Sequence, residues 1–541
     1  MAIAQAALMR LDQYITLKMR EYNVPAVSIA LTDAERTFFL STDGVADVAA
    51  RTPVVPDTVF EIGSISKSFT AIALLQEVEA GRLNLHAPLV EYLPWFAVQS
   101  PYDAPITPHH LLTHTAGIIT GQNFAAGHHY EVYALRETHV STPPGTHFHY
   151  SDVGYKVLGL LLEHLTGKPY PQVIEERILD PLGMEATAPV ITHTTRKRMA
   201  VGYSDFYDDR PAPTSRPLAP AAWLQYGGAD GSIASTPGDM AIYVRMLLNR
   251  GKSPNGSVLS EDSFALMTEG YSNAWNDPSL QYGYGLVISQ IDGVTHIGHQ
   301  GGMVGYSSAM LLDMEHELGI VLLANHPVSQ VGDMADFGLK TQRAGRYGGD
   351  VPPLPSWGNP LYVQNAVDYA GTYGNNRREI TFVAEDDRLV LNYDYDEIIL
   401  ETRGQDHFYV PHADFALHLL VFGRDADGRV SEVFYGGDHY MNMHYAPLTF
   451  EMLPSEWGAY LGSYRSHNPW LTNFRIIGRK GQLCLIEPSG YMLPLTPIRP
   501  NCFRMGADEY SPEWIQFDTF VEGKALRADY SGCAYYRFFT E

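Results

Sequence analysis

The sequence predicts a mixed α/β domain over residues 1–345 followed by two small all-β antiparallel barrels at 361–450 and 451–541. Three observations carry that division. Helical and strand-like hydrophobic patterns alternate up to about residue 345, a proline- and glycine-rich stretch interrupts them at 346–360, and beyond it one tyrosine-rich pattern occurs twice. A chain of 541 residues is also too long for one hydrophobic core, so several domains are expected on size alone.

Each element follows from local spacing. The N-terminus carries a short apolar run met at once by Arg10 and Asp12, with no basic segment ahead of it, which reads as an amphipathic first helix and not as a signal peptide. No apolar run reaches the roughly 18 residues of a membrane-crossing helix, so the expected location is cytoplasmic, or periplasmic or secreted if a leader has been removed. Ala26–Leu31 and Arg36–Leu40 read as two strands joined by a turn at Asp33–Glu35. Thr70–Gly81 has helical spacing with Gly81 as its stop, and Thr236-Pro-Gly238 introduces a helix over Asp239–Leu248. Val351-Pro-Pro-Leu-Pro355 and Gly358-Asn-Pro360 cannot continue a helix or a central strand and mark a linker. After it, Tyr369-Ala-Gly-Thr-Tyr373 returns as Tyr460-Leu-Gly-Ser-Tyr464, a period of roughly 90 residues. Both copies continue with period-2 alternation broken by Asp427-Gly428 and Glu522-Gly523 turns, the pattern of a small antiparallel barrel.

Composition narrows the function. With 61 acidic residues against 37 Lys and Arg the formal charge is −24, which repels phosphate backbones and anionic lipid, so neither nucleic acid nor a membrane surface is an expected partner. Only three cysteines occur, Cys484, Cys502 and Cys533, an odd number that argues against a disulfide framework and leaves the first domain without a thiol nucleophile.

Three segments carry candidate chemistry. In Ser64-Ile-Ser-Lys67 a helical start would put Ser64 and Lys67 on one face, where an amine can take the hydroxyl proton. By itself that spacing is equally that of a capping Ser with a surface Lys, and it recurs about once by chance in a chain this long. Pro144-Gly-Thr-His-Phe-His-Tyr150 places Tyr150 just before a helical pattern over Val153–Leu165, where a phenol near cations can relay protons. Ile297-Gly-His-Gln-Gly-Gly-Met-Val-Gly-Tyr306 puts glycines inside a strand, a sign of close approach by another backbone or a ligand. His299-Gln-Gly301 then lines a cleft, and the amides of Gly302 and Ser64 are candidates for an oxyanion hole.

Taken in order, Ser64/Lys67, Tyr150/Asp152 and His299/Gly301 resemble the Ser-x-x-Lys, Tyr-x-Asn and Lys-Thr-Gly (or His-x-Gly) landmarks of the serine β-lactamase and penicillin-binding protein superfamily. The resemblance is to the branch with class C β-lactamases, D-aminopeptidases and family VIII esterases. It extends to Ile106-Thr-Pro-His-His-Leu-Leu-Thr-His-Thr-Ala-Gly117, Pro181-Leu-Gly-Met184, Gly231–Met240 and Tyr282-Gly-Tyr-Gly285. It implies a β-lactamase/transpeptidase-like domain with an antiparallel sheet flanked by helices, followed by lipocalin-like barrels such as the three-domain D-aminopeptidases carry. It also implies an acyl-enzyme on Ser64, with Lys67 and Tyr150 moving protons, Asp152, His299 and Gly301 binding substrate, and no cofactor or metal.

Two positions depart from the pattern. Asp152 stands where Asn is usual, and a carboxylate beside Lys67 should hold it as an ammonium, shifting the base role toward a Tyr150 phenolate or a proton shared by Lys67 and Tyr150. Alternatively Asp152 binds a substrate amine. His299 stands where Lys recognises a carboxylate, which argues for aminopeptidase, amidase or esterase action over β-lactamase or carboxypeptidase action, and the likeness to three-domain D-aminopeptidases implies a peptidase or amidase of short peptides, D-residue-containing ones included. Carboxylesterase is the second expectation, and a catalytically silent module binding peptidoglycan fragments is the alternative outside enzymology. The sequence holds no Gly-x-Ser-x-Gly elbow and no His-Glu-x-x-His, and His109-His110 and His128-His129 lack zinc-ligand spacing.

Overall fold

The protein, described as a computed structural model, is placed over residues 5–121, 127–327, 330–355, 358–445 and 451–538. Met1–Ala4 of the expected first helix, Ser356 and Trp357 of the linker, and residues 446–450 at the expected barrel boundary lie outside those segments. Two compact units emerge. One contains Met1–Ser204, Ala219–Pro355 and Tyr510–Pro512, and the other Asp205–Leu218, Ser356–Glu509 and Glu513–Glu541.

The first unit is built on a nine-stranded antiparallel sheet. Its strands are β1 (Ala26–Asp33), β2 (Thr37–Asp47), β3 (Thr52–Pro53), β4 (Ser272–Asn273), β5 (Leu280–Tyr282), β6 (Val287–Ile291), β7 (Val294–Met303), β8 (Tyr306–Asp313) and β9 (Leu318–Ala324), in the order β4-β5-β6-β7-β8-β9-β1-β2-β3. The β1–β2 turn falls where expected, with Asp33 Oδ1 accepting from the amides of Glu35 and Arg36. Both faces of the sheet are covered, so its central strands are apolar throughout: Leu318, Ile320 and Leu322 of β9 face one core, and Val321 and Leu323 the other.

Helix α1 (Gln5–Glu21) closes the first face with Ala7, Leu11, Tyr14 and Ile15, an i, i+4, i+7, i+8 stripe, and Tyr14 stacks on Phe337 at 3.7 Å. The opposite face packs against α2 (Ser66–Glu79), α3 (Asp152–Thr166) and α4 (Pro237–Leu248). Helix α2 begins four residues earlier than its periodicity announced, because Ser66, Lys67, Ser68 and Phe69 are all buried and show no amphipathic contrast. Gly81 does end it, at φ +70°, with the Arg82 amide reaching back to the Glu77 carbonyl. Thr236 caps α4 by accepting from the Asp239 amide. No helix among the described residues is long and apolar enough to cross a membrane.

In the second unit a nine-stranded antiparallel sheet spans Gly371–Asn442, its two end strands, Asp396–Ile399 and Glu401–Thr402, separated in the chain only by Leu400. An eight-stranded barrel over Gly462–Phe538 closes fully, with Ser463 paired to Phe538. The repeat seen in sequence is repeated in hydrogen bonding: Tyr373 donates to the Tyr369 carbonyl at 3.1 Å, and Tyr464 to the Tyr460 carbonyl at 2.8 Å. Cys484, Cys502 and Cys533 are buried and free in the closed barrel. Residues Asp205–Leu218 belong to this unit, although no sequence signal set them apart from 1–345. Arg475 donates to the Asp209 carbonyl, Arg403 to that of Ala212, and Glu401 accepts from the Thr214 amide.

Candidate active site

The nucleophile candidate sits in a single 3₁₀ turn, Gly63–Ile65, that runs directly into α2. Two contacts hold the turn. Phe60–Glu61 pairs with Ala234–Ser235, and the Ile62 carbonyl accepts from Ser308 Oγ at 2.8 Å. The glycines of β7 are required by this approach: a Cβ on Gly301 would stand 1.9 Å from the Ile62 carbonyl oxygen. Gly63, at φ +51°, lies against the backbone of Gly302, where a Cβ would come within 2.7 Å of the Gly302 nitrogen. Gly301 is therefore buried as packing, while Gly302, with nothing within 4 Å of its own Cβ position, opens to solvent beside Ser64.

Lys67, one turn along, is fully buried. Its Nζ donates to Asp152 Oδ1 at 2.7 Å and to the Asp230 carbonyl at 2.9 Å, and stands 3.0 Å from Ser64 Oγ. Burial pulls the ammonium pKa down, but the Asp152 carboxylate, then Tyr150 and Asp230, more than offset it and hold Lys67 above its ordinary value. The Lys67 nitrogen also lies 4.8 Å from the centre of the Tyr150 ring. Burial raises the Tyr150 phenol, Lys67 lowers it, and Asp152 raises it again, and the balance is upward. Desolvation thus works against the free phenolate, and the neutral phenol is the favoured form.

Helix α3 delivers Asp152 and Tyr150 to this point. Ser151 is its N-cap, accepting from the Gly154 amide and donating to the Ile119 carbonyl. His114 grips the same loop twice: its carbonyl accepts from the His149 amide at 2.7 Å and its Nδ1 from the Ser151 amide at 2.9 Å. The His114 ring packs 4.2 Å from that of Tyr150, and its backbone is held at φ +57°. His114 lies in the Ile106–Gly117 motif, where no spacing in the sequence marks it as a positioning residue.

His299 is buried, and Tyr282 Oη bonds its Nε2 at 3.0 Å. Burial, then the nearby Lys67 charge, push its pKa down to about 4, so the ring is neutral. Sequence reasoning also missed the charges behind Lys67. Lys156, 2% exposed and one turn after Asp152 on α3, bonds Glu131 at 2.6 Å and lies 3.9 Å from Asp230, whose carboxylate accepts from Tyr226 Oη. The i, i+4 spacing of Asp152 and Lys156 was the one available signal. No group of three metal-ligating side chains occurs among the described residues, and His109 Nδ1 instead bonds Tyr284 Oη at 2.8 Å.

The Beta-lactamase family model matches residues 11–344. The chain belongs to the Beta-lactamase family. Among its relatives, penicillin-binding protein 4 of Amycolatopsis lactamdurans is 30% identical over 57% of this chain and 83% of its own. Protein flp of Staphylococcus aureus strain MW2 is 27% identical over 58% of this chain and 62% of its own length. The octameric penicillin-binding protein homologue from Pyrococcus abyssi superposes with a TM-score of 0.60 at 25% identity, over 81% of this chain and 99% of that one. This Beta-lactamase-family chain is accordingly a serine hydrolase in general class, with the antiparallel sheet flanked by helices and the barrel-like β-sheets that the resemblance implied.

Proposed function

We propose that the protein is a peptidase or amidase of short linear peptides that works through an acyl-enzyme on Ser64. The observation that carries this is the Lys67 ammonium, 3.0 Å from Ser64 Oγ and 2.7 Å from Asp152, beside a neutral Tyr150. An amine leaves a tetrahedral intermediate only with a proton, whereas an alkoxide leaves more readily without one, and both Lys67 and Tyr150 hold a proton to give. Attack then runs as a relay: the Ser64 proton passes to Lys67 as Lys67 yields one of its own to Asp152, and the charge on the amine nitrogen is unchanged. Collapse returns a proton through Lys67 and Tyr150 to the leaving amine. The amides of Ser64 and Gly302 are the oxyanion donors in this reading, and water releases the acyl group.

The ionisation of the cleft supports a free amine over a carboxylate as the recognised end of the substrate. His299 is neutral and Lys67 is buried behind Ser64, so neither presents an accessible cation to a substrate carboxylate. Names of the relatives add penicillin binding as a property to test. Carboxylesterase action is the second reading, favoured by the same nucleophile.

Labelling of Ser64 by a fluorophosphonate, with rates on D- and L-aminoacyl p-nitroanilides, p-nitrophenyl esters and nitrocefin, tests the proposal. Labelling with aminoacyl anilides preferred is the expected result. A protein that does not label is a binding module, and one preferring nitrocefin overturns the argument from His299. Asp152→Asn tests the relay: with the acceptor gone, activity must await neutral Lys67, so the acidic limb of the kcat profile moves to higher pH. An unmoved limb removes Asp152 from the proton path.

A further inference from the structure

Trp275 joins a left-handed backbone to a largely exposed indole beside the reaction centre. It occupies φ +51°, ψ +31°, the left-handed region in which a bulky side chain is strained, and Asn276 follows at φ +60°. The indole is 53% exposed in that conformation. Its buried part is spent on the aromatic group around the reaction centre. It lies 5.4 Å from Phe148, 6.4 Å from Tyr282, and 5.9 Å from Tyr150 with the two planes only 25° apart. Ser64, Tyr150, Asp152 and Gly302 are the partly accessible residues of the site, and Trp275 extends their surface by one flat apolar face beside Tyr150.

Resting on the reading given under Proposed function, we infer that Trp275 is the platform of the leaving-group subsite and selects peptides whose residue after the scissile bond carries an aromatic or similarly flat apolar side chain. The assignment to that side follows from proton geometry. The oxyanion is held by Ser64 and Gly302, and the amine that departs must receive its proton from Lys67 and Tyr150. The departing residue therefore lies on the Tyr150 side, where the indole stacks beside the phenol at 5.9 Å with its outer face exposed. Offset stacking of a second ring on the exposed indole adds to the apolar area removed from water.

The subsite has a kinetic signature. The leaving residue is gone once Ser64 is acylated, so Trp275 acts on acylation and not on release of the acyl group. With alanyl dipeptides that differ only in the second residue, Trp275→Ala is expected to lower the ratio of kcat/KM for phenylalanine over alanine about tenfold. Trp275→Phe is expected to keep most of the ratio. Fluorophosphonate labelling of Ser64 in each variant reports an intact nucleophile, and Trp275→Leu carries the test if the alanine variant does not fold. A ratio within twofold of the parent's, or a loss that follows the acyl residue instead, overturns the inference. Activity that survives Ser64→Ala would overturn the acyl-enzyme reading itself, a distinct outcome.

Discussion

Lys156 in the first unit and Arg429 in the second face similar inventories and meet opposite solvent. Lys156 sits between Glu131 at 2.6 Å and Asp230 at 3.9 Å, and Arg429 between Asp425 and Asp427, both at 2.9 Å. The lysine side chain is 1% exposed and that of the arginine 57%. Water screens the arginine's pairs and supplies what they would lose, whereas the lysine and its carboxylates have given up hydration that only their mutual contacts replace. The same difference separates the two units. The first buries Asp33, Glu61, Lys67, Glu77, Glu131, Lys156, Asp230 and Asp313, while among the described residues Glu432 is the one buried carboxylate or cation of the second. Four of those groups, Lys67, Glu131, Lys156 and Asp230, connect in one network behind Ser64. Dry, coupled charge is costly to fold around, and it is found where protons must move.

Removing the buried cation should produce the largest effect on stability. Lys156→Met keeps the side-chain volume and deprives Glu131 and Asp230 of the ammonium, a change expected to cost about 3–5 kcal/mol in urea unfolding. A loss no greater than that of a surface pair would dissolve the contrast between the units.

Glu61 offers a comparable effect that appears only with pH. It is 4% exposed, in the short strand before Ser64, and burial pushes its carboxyl up to about 8. Unfolded, it titrates near the ordinary value of 4.5. Between those two values the folded chain holds a proton that the unfolded chain has released, so stability is full below about pH 4.5 and falls as pH rises toward 8. Glu61→Gln removes that slope. Relative to the parent, the variant should gain about 4 kcal/mol between pH 4 and pH 9. Parallel unfolding midpoints at the two pH values would place the Glu61 carboxyl back in its ordinary range.

His114 should show a smaller, catalytic effect. Burial, then the Lys67 charge, hold its pKa far below the ordinary histidine value, so the neutral ring keeps Nδ1 as the acceptor for the Ser151 amide. His114→Leu removes that acceptor in a left-handed backbone and is expected to lower kcat by about 10–100-fold with KM changed little. Asparagine tolerates φ above zero and offers an oxygen acceptor, so His114→Asn should recover most of the rate. In a Tyr150→Phe background the leucine change should add almost nothing, since its effect runs through Tyr150. Full additivity would mean that His114 merely supports the fold.

What the sequence made legible was whatever period or spacing encodes. The first helix, the β1–β2 turn, the Gly81 stop and the tyrosine repeat all rest on contacts within a few residues, and the folded chain keeps them. The start of α2 was hidden because a helix buried on every side has no stripe. Ser64, Lys67, Tyr150 and Asp152 were legible only as an ordered set, and the structure brings them together at hydrogen-bonding distances or ring contact. Asp230, Glu131, His114 and Trp275 were not, since each reaches the site by contacts that span tens of residues. Asp230 meets Lys67 through a backbone carbonyl, which no side-chain pattern records. The strain at Trp275 is a torsion angle, equally silent in sequence.

The smallest expected effect lies in the second unit, and it is the one that makes the comparison a controlled one. Arg429→Met removes the cation from Asp425 and Asp427 just as Lys156→Met removes it from Glu131 and Asp230. Two neighbouring carboxylates then repel each other in both places. At residue 429 water remains in contact with the freed carboxylates, and Asp425 keeps hydrogen bonds from the amides of Asp427 and Arg429 itself, which no side-chain change removes. The unfolding midpoint should therefore stay where it is, and raising the ionic strength should not separate the variant from the parent. A clear drop at low salt that vanishes at high salt would show that the charges of this turn act through space despite exposure, and burial would no longer be what distinguishes it from the helix behind Ser64.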